Sequence, residues 1–225
     1  MKGKVIFRVL MILVILCFTV LVMRSIMRPE KYRMVYEGRC DVIKEKLITI
    51  RDLQAVYKNE YKTYMSDADS VALFAEEGMV DIIKNVGEIP EGMNEKDALA
   101  QGLLHKETIS VPAKVKVLEN DVTRTEENFN NLSTVLGPNS PKFSIKTGSI
   151  KSKTYEIPVY QIVVPIDDIL FNMEEAITPS NANVFVKLWN KLFYNGLASE
   201  RQYKSQYKDL VLGSLSEANT AGNWE

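Results

Sequence analysis

Residues 9–23 read VLMILVILCFTVLVM, fifteen positions without a charge, and that run decides the architecture. Val5, Ile6 and Phe7 extend it backward by one turn, interrupted only by Arg8. An arginine near a helix end lifts its guanidinium toward headgroups while its stem stays in hydrocarbon. Counted as helix, residues 5–23 rise about 28 Å at 1.5 Å per residue, enough for a bilayer core of about 30 Å. The segment therefore reads as one membrane span with the lipid bilayer as its partner.

Its flanks favour an uncleaved signal-anchor over a removed signal peptide. Lys2, Lys4 and Arg8 supply the basic start of either, but after Met23 the chain continues RSIMRPEKYR, with no small-x-small pair for cleavage. Leu16 precedes Cys17 where a lipoprotein needs a small residue. Positive charge is nearly even across the span, with Lys2, Lys4 and Arg8 facing Arg24, Arg28, Lys31 and Arg33. The short basic leader tips the reading to a cytoplasmic N-terminus. The expected location is a bacterial inner membrane, crossed once, with the C-terminal domain in the periplasm.

Beyond the span, Pro29 should end or kink the helix. A second helical pattern then runs to about Tyr64. Ile43, Leu47, Ile50, Gln54, Tyr57, Tyr61 and Tyr64 recur at steps of four and three, widened by Val42, Leu53 and Val56. Ser66 or Asp67 should cap a short helix over 68–77, stopped by Gly78. Residues 79–92 look irregular, and 94–100 allow another short helix. From Thr108 the chain TISVPAKVKVLEND alternates at Val111, Ala113, Val115 and Val117 and reads as a strand. A small apolar island, 129–136, sits in polar turn material. KFSIKTGSI and YEIPVYQIVVPI then read as a hairpin, with Pro158 and Pro165 limiting where neighbours pair. Residues 166–203 are spaced for helix or turn, and LVLGSL (210–215) adds a last strand.

The sum is an α+β fold: a transmembrane helix continuing into a long amphipathic helix that packs on a small antiparallel sheet. Three segments follow: a signal-anchor at 1–28, a membrane-proximal helix at 29–65, and an extracytoplasmic α+β head at 66–225.

Composition excludes more chemistry than it supports. The 225 residues carry 28 Lys plus Arg against 29 Asp plus Glu, which argues against a nucleic-acid binder. His105 alone could serve nucleophilic catalysis, and it lies in no strand-turn-helix elbow. Cys40 would need His105 as its base; it reads as an unreactive thiol, or else as a cross-link between copies near the membrane. One histidine and two cysteines, Cys17 and Cys40, are too few for a structural zinc site. Glu119, Asn120, Asp121, Glu126 and Glu127, and separately Asp167 with Asp168, are acidic clusters without calcium-loop spacing. Asn131-Leu132-Ser133 matches a glycosylation acceptor, a triplet common by chance. No glycine-rich phosphate loop occurs. The expectation is a non-enzyme with no catalytic residue, cofactor or metal. A ligand pocket lined by Tyr160, Phe171, Trp189 and Phe193 would favour a binding role instead.

One stretch carries a family resemblance. IRDLQAVYKNEYKTYMSDADSVALF, residues 50–74, resembles the end of the long helix in type IV pilins and type II secretion pseudopilins. Tyr57, Tyr61 and Tyr64 stand at comparable positions; the likeness covers the first third of the chain, and the apolar N-terminus and a later β-hairpin complete it. The resemblance implies a pilin-like architecture and association with itself or with other envelope proteins. Lys62 and Met65 replace the family's Gly and Pro, and Gly3-Lys4 is no processing site. The closing SEANTAGNWE also resembles uncharacterised single-pass proteins of Bacteroidetes. The function expected is a membrane-anchored structural or accessory subunit of a bacterial envelope assembly of secretion or pilus-like type. The alternative is an envelope ligand-binding or sensor domain on the same anchor.

Overall fold

One helix, α1 (Lys2–Tyr61), opens the chain and continues through Pro29. The structure, a computed structural model, describes residues 2–87, 94, 103–120, 125–151, 155–199 and 201–225. A proline inside a helix removes one hydrogen bond and costs about 3 kcal/mol or more. Continuity has an offsetting return, which is why the expected end at Pro29 does not occur. Arg28, Tyr32, Tyr36, Cys40 and Ile43 fall at steps of four, four, four and three, and all are buried. A break at Pro29 would scatter that face.

After α1 come α2 (Ala68–Glu77), β1 (Met79–Gly87), β2 (Leu104–Pro112) and α3 (Ala113–Asn120), then a 3₁₀ turn at Glu126–Phe129. β3 (Ser144–Lys151) and β4 (Glu156–Val164) follow. The chain then makes α4 (Ile166–Ile169), α5 (Met173–Ile177), α6 (Val184–Tyr194), a 3₁₀ turn at Leu197–Ser199, α7 (Arg201–Lys204) and β5 (Leu210–Gly213). The fold is α+β, with a long apolar N-terminal helix and a small antiparallel sheet. Its residues group into two units: Met1–Ile43 with Val164–Leu210, and Lys44–Val163 with Val211–Glu225.

In the first unit, short helices gather on the buried face of α1. Ile169, Met173, Ile177, Phe193, Leu197, Tyr203 and Leu210 join Tyr32, Tyr36, Cys40 and Ile43 in its core. Helices this short have little stability of their own, so packing of their apolar residues holds them.

The second unit holds the rest of the α1 stripe. Leu47, Ile50, Leu53 and Gln54 are buried, but Val42 and Tyr61, expected on that stripe, are exposed. Helix α1 ends at Tyr61 rather than Tyr64 because Lys62 turns left-handed, φ 60°, as residues just past a helix end often do. Buried Gln54 then clamps the returning chain: its amide donates to the Met65 carbonyl at 2.8 Å and its oxygen accepts from the Met65 N–H at 2.9 Å. Tyr64 leaves the helix and packs its ring on Tyr160, centroids 4.6 Å apart. Polar ties add the Lys46 ammonium, 2.9 Å from the carbonyls of both Asn131 and Thr134, and an Arg51–Glu225 pair at 2.6 Å.

Helix α2 forms as its sequence indicates. The Asp67 side chain accepts from the Ser70 N–H at 3.0 Å, and Gly78 closes the last turn on the Phe74 carbonyl. A side chain at Gly78 would collide with the Phe74 ring. Residues 79–87 are strand, not irregular: β1 pairs antiparallel with β2 from Met79↔Pro112 to Gly87↔Leu104. Val80 is buried while Met79 and Val86 are exposed, a division that the sequence does not signal by alternation.

The expected strand from Thr108 stops at Pro112 and becomes helix α3. Ala113 and Val117, four apart and fully buried, show the helical period that the valines at 111, 115 and 117 had masked. The hairpin forms as expected, with register Ser144↔Val163 to Lys151↔Glu156, and β5 completes the order β3-β4-β5. Gly213 is needed there. Its φ is +73°, and a Cβ would run into the Tyr160 carbonyl. The short helix expected over 94–100 lies outside the described residues apart from Asn94.

Candidate functional site

Every residue of α1 from Gly3 to Thr19 is exposed, although nearly all are apolar. Within α1 lies an eighteen-residue window long and apolar enough to cross a membrane, and none of it is buried. The hydroxyl of Thr19 donates to the Ile15 carbonyl at 2.9 Å, one turn back on the helix. Cys17 is exposed in the same band.

Above the band, α1 grips the first unit through long polar side chains that satisfy helix-end carbonyls. Arg28 donates from Nη1 to the carbonyls of Phe193 and Asn195, both at 3.1 Å, where α6 ends. Arg39 donates from Nη1 to Ile169 O and Phe171 O at 2.8 Å, and from Nη2 to Asn172 O at 3.3 Å, beyond the end of α4. The last carbonyls of a helix lack partners inside it and carry its partial negative charge, so a guanidinium is a fitting cap. The Tyr36 hydroxyl donates to Lys208 O at 2.8 Å. Burial, then a hydrogen bond with the Cys40 thiol, raises the Tyr36 pKa above its ordinary value.

A tyrosine cluster fills the space between these clamps. Tyr32 stands 5.3 Å from Tyr203 and 5.6 Å from Tyr207, and Tyr36 is 4.1 Å from Tyr207 between ring centroids. The buried Tyr32 hydroxyl has no hydrogen-bond partner among the described residues. Burial, with smaller contributions from Tyr207 and Asp167, pushes its pKa up to about 12.

A cleft of about 530 Å³ opens beside α5 and α6, lined by Glu174, Glu175, Lys187, Asn190, Lys191 and Tyr194 among others. Its size suits a small ligand, yet several of its polar groups already serve the backbone. Glu175 accepts from the Ser180 N–H at 2.7 Å, which holds its carboxyl below the usual range. Lys187 donates to Ser180 O at 2.6 Å and Asn190 to Ile177 O at 2.8 Å.

The residues singled out from sequence do not converge. His105 is exposed on β2, and Cys40 is buried at 4% exposure in the other unit. That burial removes the accessible thiol which a cross-link between copies requires. Glu119 stands 4.0 Å from Lys116, Asn120 ends α3, and Glu126 and Glu127 open the first 3₁₀ turn. Asp121 lies outside the described residues. Asp167 pairs with Lys204, while burial, then Asp167, raises the carboxyl of Asp168. Among the described residues no three His, Cys, Asp or Glu gather as metal ligands would. Asn131 takes a left-handed φ of 52° and gives its carbonyl to Lys46.

The four aromatics that would mark a ligand pocket fall in different units. Tyr160 is buried in the second unit against Tyr64. Trp189 and Phe193 touch at 4.4 Å, but Phe193 is core whereas Trp189 and Phe171 are exposed. Sequence reading also missed the clamps of Arg28 and Arg39 and the exposed face of α6. The first had a faint signal, the four-residue spacing of Arg28, Tyr32, Tyr36 and Cys40; the second had a clear one in VFVKLWNKLFY.

Fold and site together define a class of protein, an α+β chain whose long N-terminal helix is apolar and bare over the length of a membrane span. No family model, curated protein or solved structure matches the chain.

Proposed function

We propose that this chain is a single-pass, membrane-anchored structural or accessory subunit of a bacterial envelope assembly. One observation carries the reading: the apolar band of α1 is wholly exposed within the chain. Water does not tolerate an apolar patch of that extent on a soluble monomer, and lipid covers a helix of that length with every backbone group satisfied. Residues 5–23 cross the bilayer, the N-terminus stays in the cytoplasm, and the rest of the chain works in the periplasm. The resemblance of residues 50–74 to the end of a pilin helix favours an assembly role.

Alkaline carbonate extraction tests the anchor, and protease protection in spheroplasts tests the orientation. Expected are retention in the pellet and cleavage of the head only from the periplasmic side. Photo-crosslinkers at exposed Met34, Val42 and Tyr61 test the assembly role. A discrete adduct with another envelope protein supports it; absence of adducts at all three positions, with monomer in mild detergent, overturns it. The cleft beside α6 favours a second reading, capture of a small polar ligand. Exchange of Lys191 and Tyr194 for Ala would then abolish binding while leaving adducts intact.

A further inference from the structure

Helix α6 presents an apolar face that the protein leaves bare. Val184 is 81% exposed, Phe185 86%, Leu188 65%, Trp189 45% and Leu192 52%. At 100° per residue these five positions occupy an arc of about 140°. On the adjoining arc Phe193 and Asn190 are buried with Val186 41% exposed between them, and Lys187 and Lys191 close the circle, Lys191 next to Val184. A helix with one face packed, one face polar and a third apolar and uncovered awaits an apolar partner.

Two facts within the first unit say where that face looks. Arg28 holds the C-terminal end of α6 by the carbonyls of Phe193 and Asn195. Arg28 is five residues beyond Met23, about 7.5 Å along α1. A headgroup layer is about 5–7 Å thick on each side of the hydrocarbon. The end of α6 therefore lies level with the headgroups if residues 5–23 span.

The second fact sets the direction. The buried Asn190 amide ties α6 to the carbonyl of Ile177, at the end of α5. The chain entering α5 is gripped at Asn172 by Arg39, eleven residues and about 16 Å farther up α1 than Arg28. The packed face of α6 thus looks up the helix toward α5, and the bare face looks back toward the span.

We propose that α6 is a second membrane contact, an interfacial helix that sets Val184, Phe185, Leu188, Trp189 and Leu192 into the leaflet next to the head. Side chains reach about 5–6 Å from a helix axis, which brings the arc from the outer headgroup level down toward the boundary with the acyl chains. Tryptophan favours that depth, and Lys187 and Lys191 border the apolar arc where anionic headgroups would meet them. With α1 crossing and α6 lying flat, the first unit is fixed to the bilayer at two places and cannot swing freely about a single helix.

This inference rests on residues 5–23 spanning the bilayer, so the test reads both independently. The full chain carrying Trp224→Phe, leaving Trp189 as its one tryptophan, is reconstituted into equimolar phosphatidylcholine and phosphatidylglycerol vesicles. Phosphatidylcholine brominated near the top of its acyl chains is expected to quench Trp189, and the exposed-face variant Leu188→Glu with Phe185→Glu to abolish the quenching while circular dichroism stays unchanged. Cys17 reports the span in the same vesicles through its reaction with an aqueous maleimide. Cys17 protected and Trp189 unquenched overturns the interfacial helix alone. Cys17 reactive overturns the span and this inference with it. Trp189 shielded from bromolipid but blue-shifted only at high protein-to-lipid ratio assigns the face to a second copy of the chain, and likewise overturns the lipid contact.

Discussion

The two halves of α1 are one continuous helix, yet they stand in opposite relation to their surroundings. From Gly3 to Thr19 the apolar side chains point outward on all sides and none is buried. From Arg28 to Gln54 a single stripe is buried, and three of its members, Arg28, Thr49 and Gln54, are polar. Apolar character alone therefore does not decide burial in this chain. What decides it is whether another part of the chain arrives to cover the residue and satisfy its polar atoms. The lower half has no such partner among the described residues, and the upper half gathers short helices and loops whose carbonyls need donors.

The sharpest way to break this contrast is to place charge in both halves. Leu13→Arg with Leu16→Arg should cost about 5–7 kcal/mol of membrane insertion, taking roughly 2.5–3.5 for each arginine at mid-bilayer. Carbonate fractionation is expected to move the chain out of the pellet, while the thermal melting of the remainder stays where it was. Retention of the doubly charged chain in the pellet would show that the lower half is not held by lipid.

In the upper half the corresponding loss is one of packing. Ile50 is fully buried, so Ile50→Ala should destabilise by about 2–5 kcal/mol in denaturant unfolding. Val42→Ala, on the exposed side of the same helix, should stay within about 0.5 kcal/mol of the parent. Equal effects at the two positions would mean that the stripe is misplaced.

Next in size are the cations. Arg39→Met leaves three carbonyls at Ile169, Phe171 and Asn172 without their guanidinium, at a cost of about 1–3 kcal/mol. Arg8→Met, in the apolar half, should leave melting of the rest unchanged and strengthen retention in the carbonate pellet. An Arg39→Met protein that melts with the parent would remove the case for capping.

Which of these features the sequence disclosed follows from how each is made. The apolar run, the capped helix α2 and the β3–β4 hairpin rest on local pattern, and local pattern is written in consecutive residues. The short helix α3 was mistaken for strand because Val115 and Val117 alternate with lysines, while the buried pair Ala113 and Val117 is visible only once a partner surface exists. Strand β1 was missed because a two-stranded ribbon buries Val80 and exposes Met79 and Val86. The clamps of Arg28 and Arg39 leave only a faint trace for a different reason. They join positions more than a hundred residues apart, and an arginine beside a span reads first as a headgroup contact. The bare face of α6 was legible in its spacing, but whether its aromatics lined a pocket or a surface depended on which arc of the helix packed inward.

The smallest effect separates two tyrosines one turn apart on α1. Tyr36 donates to the Lys208 carbonyl at 2.8 Å, whereas the hydroxyl of Tyr32 is buried with no hydrogen-bond partner among the described residues. Tyr36→Phe should cost about 1 kcal/mol, and Tyr32→Phe should be neutral or mildly stabilising, since it removes a buried polar atom that gains nothing in return. The same asymmetry has a pH signature. Folding raises the Tyr32 pKa from 10.0 to about 12 by burial, so the folded state favours the neutral phenol. Below the unfolded value the contribution is complete; as pH climbs from about 10 toward 12 the unfolded chain releases its proton first and stability declines. Denaturant midpoints measured across that window should fall less steeply for Tyr32→Phe than for the parent, with a residual slope left by Tyr36, Tyr160 and Tyr207, whose pKa values burial also raises. An unchanged slope in Tyr32→Phe would place that phenol in water, and the tyrosine cluster would then no longer belong to the core that α1 organises.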